Sequence, residues 1–543
     1  MPDALASRRL RRAGLAALAL AFVAAYAPFA AVHMDLARDV WIARRLLDGA
    51  EFPLSGPVLA GTIHLGPIWY YVLAAALALG HGWLGAIVVL LALASLEFPL
   101  AYLAGKAAVD RRAGLLWAAG LAVPSWSSFE PLLPLHFVFS SALDLAFAVC
   151  ALRYAKRPRR KYLVAMALGV VLALHAHPAN AGLFWVLGAL AAWSLRRGAC
   201  SARDCAVAIA VGAVPLLPYL VWDAAHGFAD LSAGLAFVGD PARRGGAARI
   251  VPTLVQSAIG GTYYWFRSVL AWPIAAAAAA TAVIGALEAA GVAGALLALR
   301  RRDRRRLVVA AFAAAAATLL TIALIRASTP FYMTTPLRVL ALGIVACGLA
   351  LLGESAPARL VRRLFAGVAL AAGVVAALAV DAHQRRGDLP FAFLPIFDVA
   401  APPQPAAPLA LKPAYAMAAS GRFLCRAAPA GVHGLLAQQL VHDYGIEMRL
   451  RCGSADVRLG GDDADRRHWI GLSRALLARV GVEPSLHVGP LGLLPAKPVA
   501  SASVAASALP QEPLYPALQP RLDDAALRRF RVALAPHEHL AVT

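Results

Sequence analysis

Charge and cysteine are both scarce in this chain. Only 15% of its 543 residues are Asp, Glu, Lys or Arg, while 61% are hydrophobic, against about 45–50% apolar in water-soluble domains. With a mean hydropathy of +0.67, a soluble globule is excluded and a lipid bilayer is the remaining solvent. Six cysteines do not make a zinc or disulfide scaffold: Cys150, Cys200, Cys205 and Cys347 stand singly in or beside apolar runs, without metal-ligand spacing. Walker, GxGxxG, HExxH and GxSxG motifs are missing from supporting positions, which argues against nucleotide-driven chemistry. Acidic residues are the minority, 30 against 51 Lys and Arg, for a net charge of +21. In a soluble protein that excess suggests nucleic acid. Here membrane topology accounts for it, and no nucleic-acid partner is expected.

What the chain has is long apolar runs separated by basic clusters. Arg8 to Arg12 precede an apolar run that continues from Ala13 to about Val32, long enough at roughly 20 residues per crossing for an uncleaved anchor rather than a signal peptide. Further clusters lie at Lys106 to Arg112, Arg153 to Lys161, Arg196 to Arg203, Arg300 to Arg306 and Arg359 to Arg363. Together they hold 25 of the 51 basic residues. Pro67 to Gly80 is apolar but only 14 residues long, too short for an ordinary crossing. Read as a juxtamembrane helix on the outer side, with Trp69, Tyr70 and Tyr71 at headgroup level, it puts every basic cluster inside. The spans are then 13–32, 84–105, 113–129, 133–152, 162–177, 181–195, 205–222, 272–299, 307–325, 338–353 and 364–381. The expected fold is an all-α polytopic membrane protein of about 11 transmembrane helices plus outer juxtamembrane helices. Its N-terminus is cytoplasmic and its C-terminal domain extracytoplasmic, in the cytoplasmic (inner) membrane.

Residues 1–381 form the expected transmembrane domain, with 33–83 as its first external loop. A Pro-rich linker, 382–414, leads to a small α+β domain at 415–495 and a low-complexity tail at 496–543. In the small domain, 433–443 and 463–480 read as amphipathic helices, and 446–452 and 485–488 as extended segments. Outside the cytoplasm Cys425 and Cys452 either pair, which stabilises by about 3 kcal/mol for a loop of that length, or remain thiols.

The first external loop begins His33-Met34-Asp35-Leu36-Ala37-Arg38-Asp39. Asp35 and Asp39 are four apart and share a helix face, with Arg38 beside them. That pattern serves equally as a helix start with a solvated charged face. The loop continues through R-x-L-L-x-G to HLGPIWYYVLA, and in this it resembles the first external loop of GT-C glycosyltransferases. Family 39 and its relatives, the protein O-mannosyltransferases and lipid A aminoarabinose transferases, are the nearest branch. The resemblance covers roughly residues 10–380. It implies a polyprenyl-phosphate-linked sugar as donor and an inverting displacement at its anomeric carbon. The acceptor is an envelope glycolipid, glycan or protein. Asp35 matches the family's acidic position and is the expected catalytic carboxylate. Leu36 stands where the family carries its second acid, so either Asp39 supplies that acid or Asp35 works alone.

Other candidates line the outer side. His64 contacts either sugar or phosphate, or bonds a loop carbonyl. Arg326 and Tyr332 resemble the family's late basic and Tyr-x-x-x-Pro region, and Arg267 and Arg338 also fall near the outer boundary. An arginine fork suits a phosphate diester, although each of these arginines can instead snorkel. His175 and His177 flank the outer end of the fifth span, where they line the cavity near the lipid phosphate. A divalent metal is possible but unsupported, since two histidines need a third ligand that the sequence does not identify. Glu97, Asp144 and Glu288 fall inside predicted spans, where ionisable groups usually face the bundle interior. They support the alternative of a transporter or lipid flippase, against which stands the absence of matched broken helices.

Overall fold

Apolar runs become helices wherever no proline interrupts them, and the chain follows that rule closely. The computed structural model describes residues 2–26, 34–47, 49, 52–59, 63–80, 83–125, 128, 131, 134–239, 261–270, 272–325 and 335–386, and four strands beyond residue 447. The first helices are α1 (Pro2–Tyr26), α2 (Met34–Leu47), a two-stranded hairpin β1 (Val58–Leu59) and β2 (Ile63–His64), and α3 (Ile68–Leu79). Then come α4 (Trp83–Ala94), α5 (Glu97–Ala108), α6 (Arg111–Gly120), α7 (Ser140–Lys156), α8 (Arg160–Ala176), α9 (Gly182–Arg196), α10 (Ala202–Ala213), α11 (Leu217–Ala225) and α12 (Ala229–Gly239). The last four are α13 (Ile274–Ala298), α14 (Arg302–Ile325), α15 (Thr335–Leu351) and α16 (Ala356–Arg386).

Among the described residues five helical stretches are long and apolar enough to cross a membrane: 85–108, 178–196, 202–225, 274–298 and 356–378. Shorter apolar helices cover 13–26, 68–79, 307–322 and 335–351. Many large side chains on these helices face outward, among them Leu20, Ile209, Val221, Leu297 and Leu378. Outward apolar faces on this scale fit lipid rather than water as the surroundings. Two of the eleven expected spans are corrected. The run 113–129 is helical only to Gly120, and 133–152 only from Ser140. Pro124, Pro131 and Pro134 lie between those points, and each removes a backbone donor and blocks a continuing helix. The short segment before the second span does fold as its own helix, α3. Its Trp69 and Tyr70 are buried in the protein, however, rather than at the bundle surface.

Basic turns gather at one end. Arg112 pairs with Glu354, joining the α5–α6 and α15–α16 turns. Arg362 donates to the Gly353 carbonyl at 2.6 Å. Val109, Leu299 and Leu351 share one apolar cluster there. Asp110 caps α6 by accepting the amides of Arg112 and Ala113, and Ser201 with Asp204 forms a capping box on α10, which is why both helices start where they do. Between the ends, Trp117, Leu145, Val149, Leu342, Leu349 and Phe365 pack α6, α7, α15 and α16 into one core. Helices α13 and α15 touch backbone to backbone. A Cβ on Gly348 would strike the Gly291 carbonyl, and one on Gly291 would lie 2.7 Å from the Val345 carbonyl, the small-residue packing that membrane helices use.

Beyond α16 the described residues are the strands β3 (Met448–Cys452), β4 (Ala455–Leu459), β5 (Ala502–Ala505) and β6 (His539–Val542). They are antiparallel in the order β4-β3-β6-β5. β3 coincides with the expected extended segment 446–452. β5 falls in a stretch that composition marks as low in complexity. The expected helices at 433–443 and 463–480, the segment 485–488 and Cys425 lie outside the described residues.

Arg338 and Glu288 meet between α15 and α13, with guanidinium–carboxylate distances of 2.9 and 2.7 Å and both side chains buried. Breaking one partner leaves a buried charge, which costs about 3–5 kcal/mol. We expect Arg338→Met and Glu288→Gln each to lower the thermal unfolding midpoint in detergent or nanodiscs, and the double variant to recover most of the loss.

Candidate functional site

Between α1 and α4 the chain builds two helices and a hairpin that hold each other. α2 packs on α3. Asp39, fully buried, accepts a 2.7 Å bond from the Trp69 indole, so it fastens α2 to α3 and has at least one further interaction. Tyr71 donates to the Pro53 carbonyl at 2.7 Å. Gly56 and Leu65 close the hairpin, with Gly56 N–H to Leu65 O at 2.7 Å and Leu65 N–H to Pro57 O at 2.8 Å. Asp35 lies in the first turn of α2 and Arg38 at the start of the second; their side chains are outside the described residues.

His64 ends the hairpin and meets a carboxylate 166 residues away. Its Nδ1 donates to Asp230 Oδ1 at 2.7 Å, and its backbone N–H reaches both Asp230 oxygens at 3.0 and 3.1 Å. Tyr219, on α11, donates to the other oxygen at 2.6 Å. Asp230 is itself fixed from behind. Asp223 accepts the backbone N–H groups of Asp230 and Leu231 at 2.9 and 3.3 Å, substituting for the missing cap of α12. The chain reverses between the two aspartates through Gly227 and Phe228, both in the left-handed region at φ 67° and 59°. Burial works to raise the Asp230 carboxyl, but the bonds from His64 and Tyr219 outweigh it and hold the group below the usual carboxylate range. The Trp222 ring lies 4.6 Å from the His64 ring.

The HLGP turn is pinned on its other side by α8. His175 is buried, and its ring lies directly against Gly66, where a Cβ would collide with it. Neither ring nitrogen of His175 has a hydrogen-bond partner among the described residues. Pro178 stops α8, and the turn that follows is satisfied locally. Ala179 N–H donates to His177 Nδ1 at 3.1 Å, and the Asn180 amide donates to the Ala173 carbonyl at 2.7 Å. His136 donates to the Ala176 carbonyl at 3.0 Å and stacks on His177. His177 thus caps the turn that follows α8.

The remaining candidates are scattered. Arg338, expected near a phosphate, forms a buried ion pair with Glu288, in which each charge compensates the other. Arg267 is exposed and donates to the Trp272 carbonyl at 3.3 Å. Arg326 and Tyr332 lie outside the described residues. Asp230, Asp223, Tyr219 and His136 were not singled out by the sequence. The only local trace of the first two is a pair of aspartates flanking His226-Gly227, a turn signal. Among the described residues no cluster of three or more His, Cys, Asp or Glu is placed to hold a metal ion.

The fold is similar to that of ArnT from Cupriavidus metallidurans bound to undecaprenyl phosphate, with 16% identity, a TM-score of 0.46, and coverage of 78% of this chain and 72% of that one. It is also similar to the archaeal oligosaccharyltransferase AglB from Archaeoglobus fulgidus in complex with an inhibitory peptide and a dolichol-phosphate, with 14% identity, a TM-score of 0.41, and coverage of 74% of this chain and 61% of that one. Both are GT-C membrane glycosyltransferases. No family model matches the chain, and no curated protein matches it.

Two outcomes follow from this geometry. Gly66→Ala should destabilise by about 1–3 kcal/mol, the usual cost of overpacking. His175→Ala in the same chain should relieve part of that cost, read as a non-additive double-mutant cycle. The depressed Asp230 carboxyl gives a pH dependence of definite sign. Its bonds contribute fully above the ordinary carboxylate value of about 3.9 and are lost as pH falls through the lower folded value. Hydrogen exchange at the backbone amide of His64, which donates to both Asp230 oxygens, should accelerate in that acid window and not above it.

Proposed function

We propose that the chain is an inverting glycosyltransferase that moves a sugar from a polyprenyl-phosphate donor to an acceptor on the outer side of the cytoplasmic membrane. The observation that carries the reading is the first external loop. The segment whose residues resemble the GT-C signature, from Asp35 to HLGPIWYY, is a built unit with Asp39 buried under Trp69 and the HLGP turn held from two sides. A solvated charged face would not bury Asp39.

In this reading Asp35 is the catalytic carboxylate. It aligns the acceptor hydroxyl while the hydroxyl oxygen bonds to the anomeric carbon and the bond from that carbon to the phosphate oxygen breaks. A polyprenyl phosphate is already a good leaving group, so the reaction asks mainly for a positioned carboxylate and cations. Arg38, Arg267, Arg326 and Tyr332 are the proposed contacts for the donor. The acceptor is an envelope glycolipid, glycan or protein, and the domain beyond residue 414 faces the same compartment.

A second reading, a transporter or flippase, draws on two intramembrane acids. Glu97 lines a cavity of about 140 Å³ with Tyr26, Ser128 and Ser141. Asp144 is buried with neither carboxylate oxygen hydrogen-bonded among the described residues. Glu288 no longer belongs to this set, because Arg338 neutralises it.

Mass spectrometry of envelope glycolipids, glycans and proteins in cells with and without the gene separates the two. We expect one hexose or pentose to vanish without the gene and to return with the wild-type chain. Asp35→Asn should insert normally yet transfer at least about 10²-fold more slowly. Full activity of that variant, together with loss of flux in Glu97→Gln, would favour transport.

A further inference from the structure

We propose that His64 receives the acceptor's proton and that Asp230 is its positioning residue, the pair being held together across the two external loops. This rests on the glycosyltransferase reading above. The Asp230 carboxylate can only accept, so the 2.7 Å bond makes His64 Nδ1 the donor. In the neutral ring the lone pair then sits on Nε2. No hydrogen bond to Nε2 is present among the described residues, and the His64 side chain is 13% exposed, enough for a hydroxyl to reach it.

Asp230 bonds both the ring and the backbone N–H of His64. That fixes the rotamer as well as the tautomer, the arrangement by which a buried carboxylate orients a histidine base. The described groups around the ring support this fixed state. Tyr219 and Asp223 hold Asp230 in place, and Trp222 packs beside the imidazole, with His226 4.5 Å beyond it. A clamp between loops would need only the backbone bonds and one side-chain donor. A nitrogen without a bond among the described residues, on a ring that is partly exposed, is what a proton acceptor requires.

The step balances without another reactant. The acceptor oxygen bonds to the anomeric carbon, the carbon–oxygen bond to the phosphate breaks with its electron pair leaving on the phosphate, and the hydroxyl proton moves to His64 Nε2. Asp35 aligns the hydroxyl. The imidazolium formed is stabilised by Asp230 until water removes the proton.

The test uses the full chain in membranes from cells lacking the gene, with the initial rate of formation of the missing glycosylated product as readout. In His64→Asn the side-chain amide can still donate to Asp230, but nothing replaces Nε2. Transfer at least about 10²-fold slower, at wild-type thermal stability, supports the assignment. Wild-type rate and pH profile in that variant would reduce His64 to a clamp and overturn it. Asp230→Asn should lower the maximal rate far more than it changes the substrate concentration for half-saturation, because it disturbs the tautomer rather than a contact. If His64→Asn does not fold, diethyl pyrocarbonate on the wild-type protein decides. Carbethoxylation of His64 that stops transfer and reverses with hydroxylamine supports the proposal, and modified His64 with intact transfer refutes it. A dead Asp35→Asn beside an active His64→Asn removes this inference alone. Absence of any product from the wild-type chain removes the glycosyltransferase reading itself, and the proton-acceptor assignment with it.

Discussion

The carboxylate of Asp230 ties together parts of the chain that have no other reason to meet. It accepts bonds from the hairpin at His64 and from α11 at Tyr219, while its own amide is held by Asp223. A carboxylate this buried costs several kcal/mol to desolvate unless its lone pairs are taken up. Four hydrogen bonds take them up here, so the loops are obliged to sit where those donors are. The position of the HLGP turn, and with it the start of α3, follows from that requirement as much as from packing.

The helices were legible because bilayer solvent imposes a simple pattern. An apolar run between basic turns has one folded solution, since every backbone donor must find its acceptor inside the same segment. The short length of the segment at Pro67 to Gly80 correctly marked α3 as a separate helix. Errors arose where a span was drawn through proline: hydropathy does not register that Pro124 and Pro134 lack a backbone donor, whereas the helix does. The acidic face of α2 was visible in the four-residue spacing of Asp35 and Asp39. Its division of labour was not, because the burial of Asp39 depends on Trp69, thirty residues later.

The long-range pairs were invisible for the same reason. His64 and Asp230 are separated by 166 residues, Arg338 and Glu288 by 50. No local periodicity records such a partner. Arg338 read as a boundary cation and Glu288 as an isolated intramembrane acid, and each is explained only by the other. His177 shows the reverse case. A histidine before proline suggested a ligand-facing group, yet the break that Pro178 makes in α8 creates an orphaned donor at Ala179, and the imidazole answers it.

These assignments separate structural from reactive polar groups on physical grounds. Among the described residues, polar side chains at the joints between helices are spent on satisfying backbone or charge: Asp110 and Ser201 cap exposed helix starts, and His136, His177 and Arg338 have buried partners. Reactivity needs the opposite condition, a polar atom fixed in place but left with capacity to spare. His64 meets it at the surface, with one ring nitrogen bound and the other free among the described residues. The loop that carries it also carries Asp35.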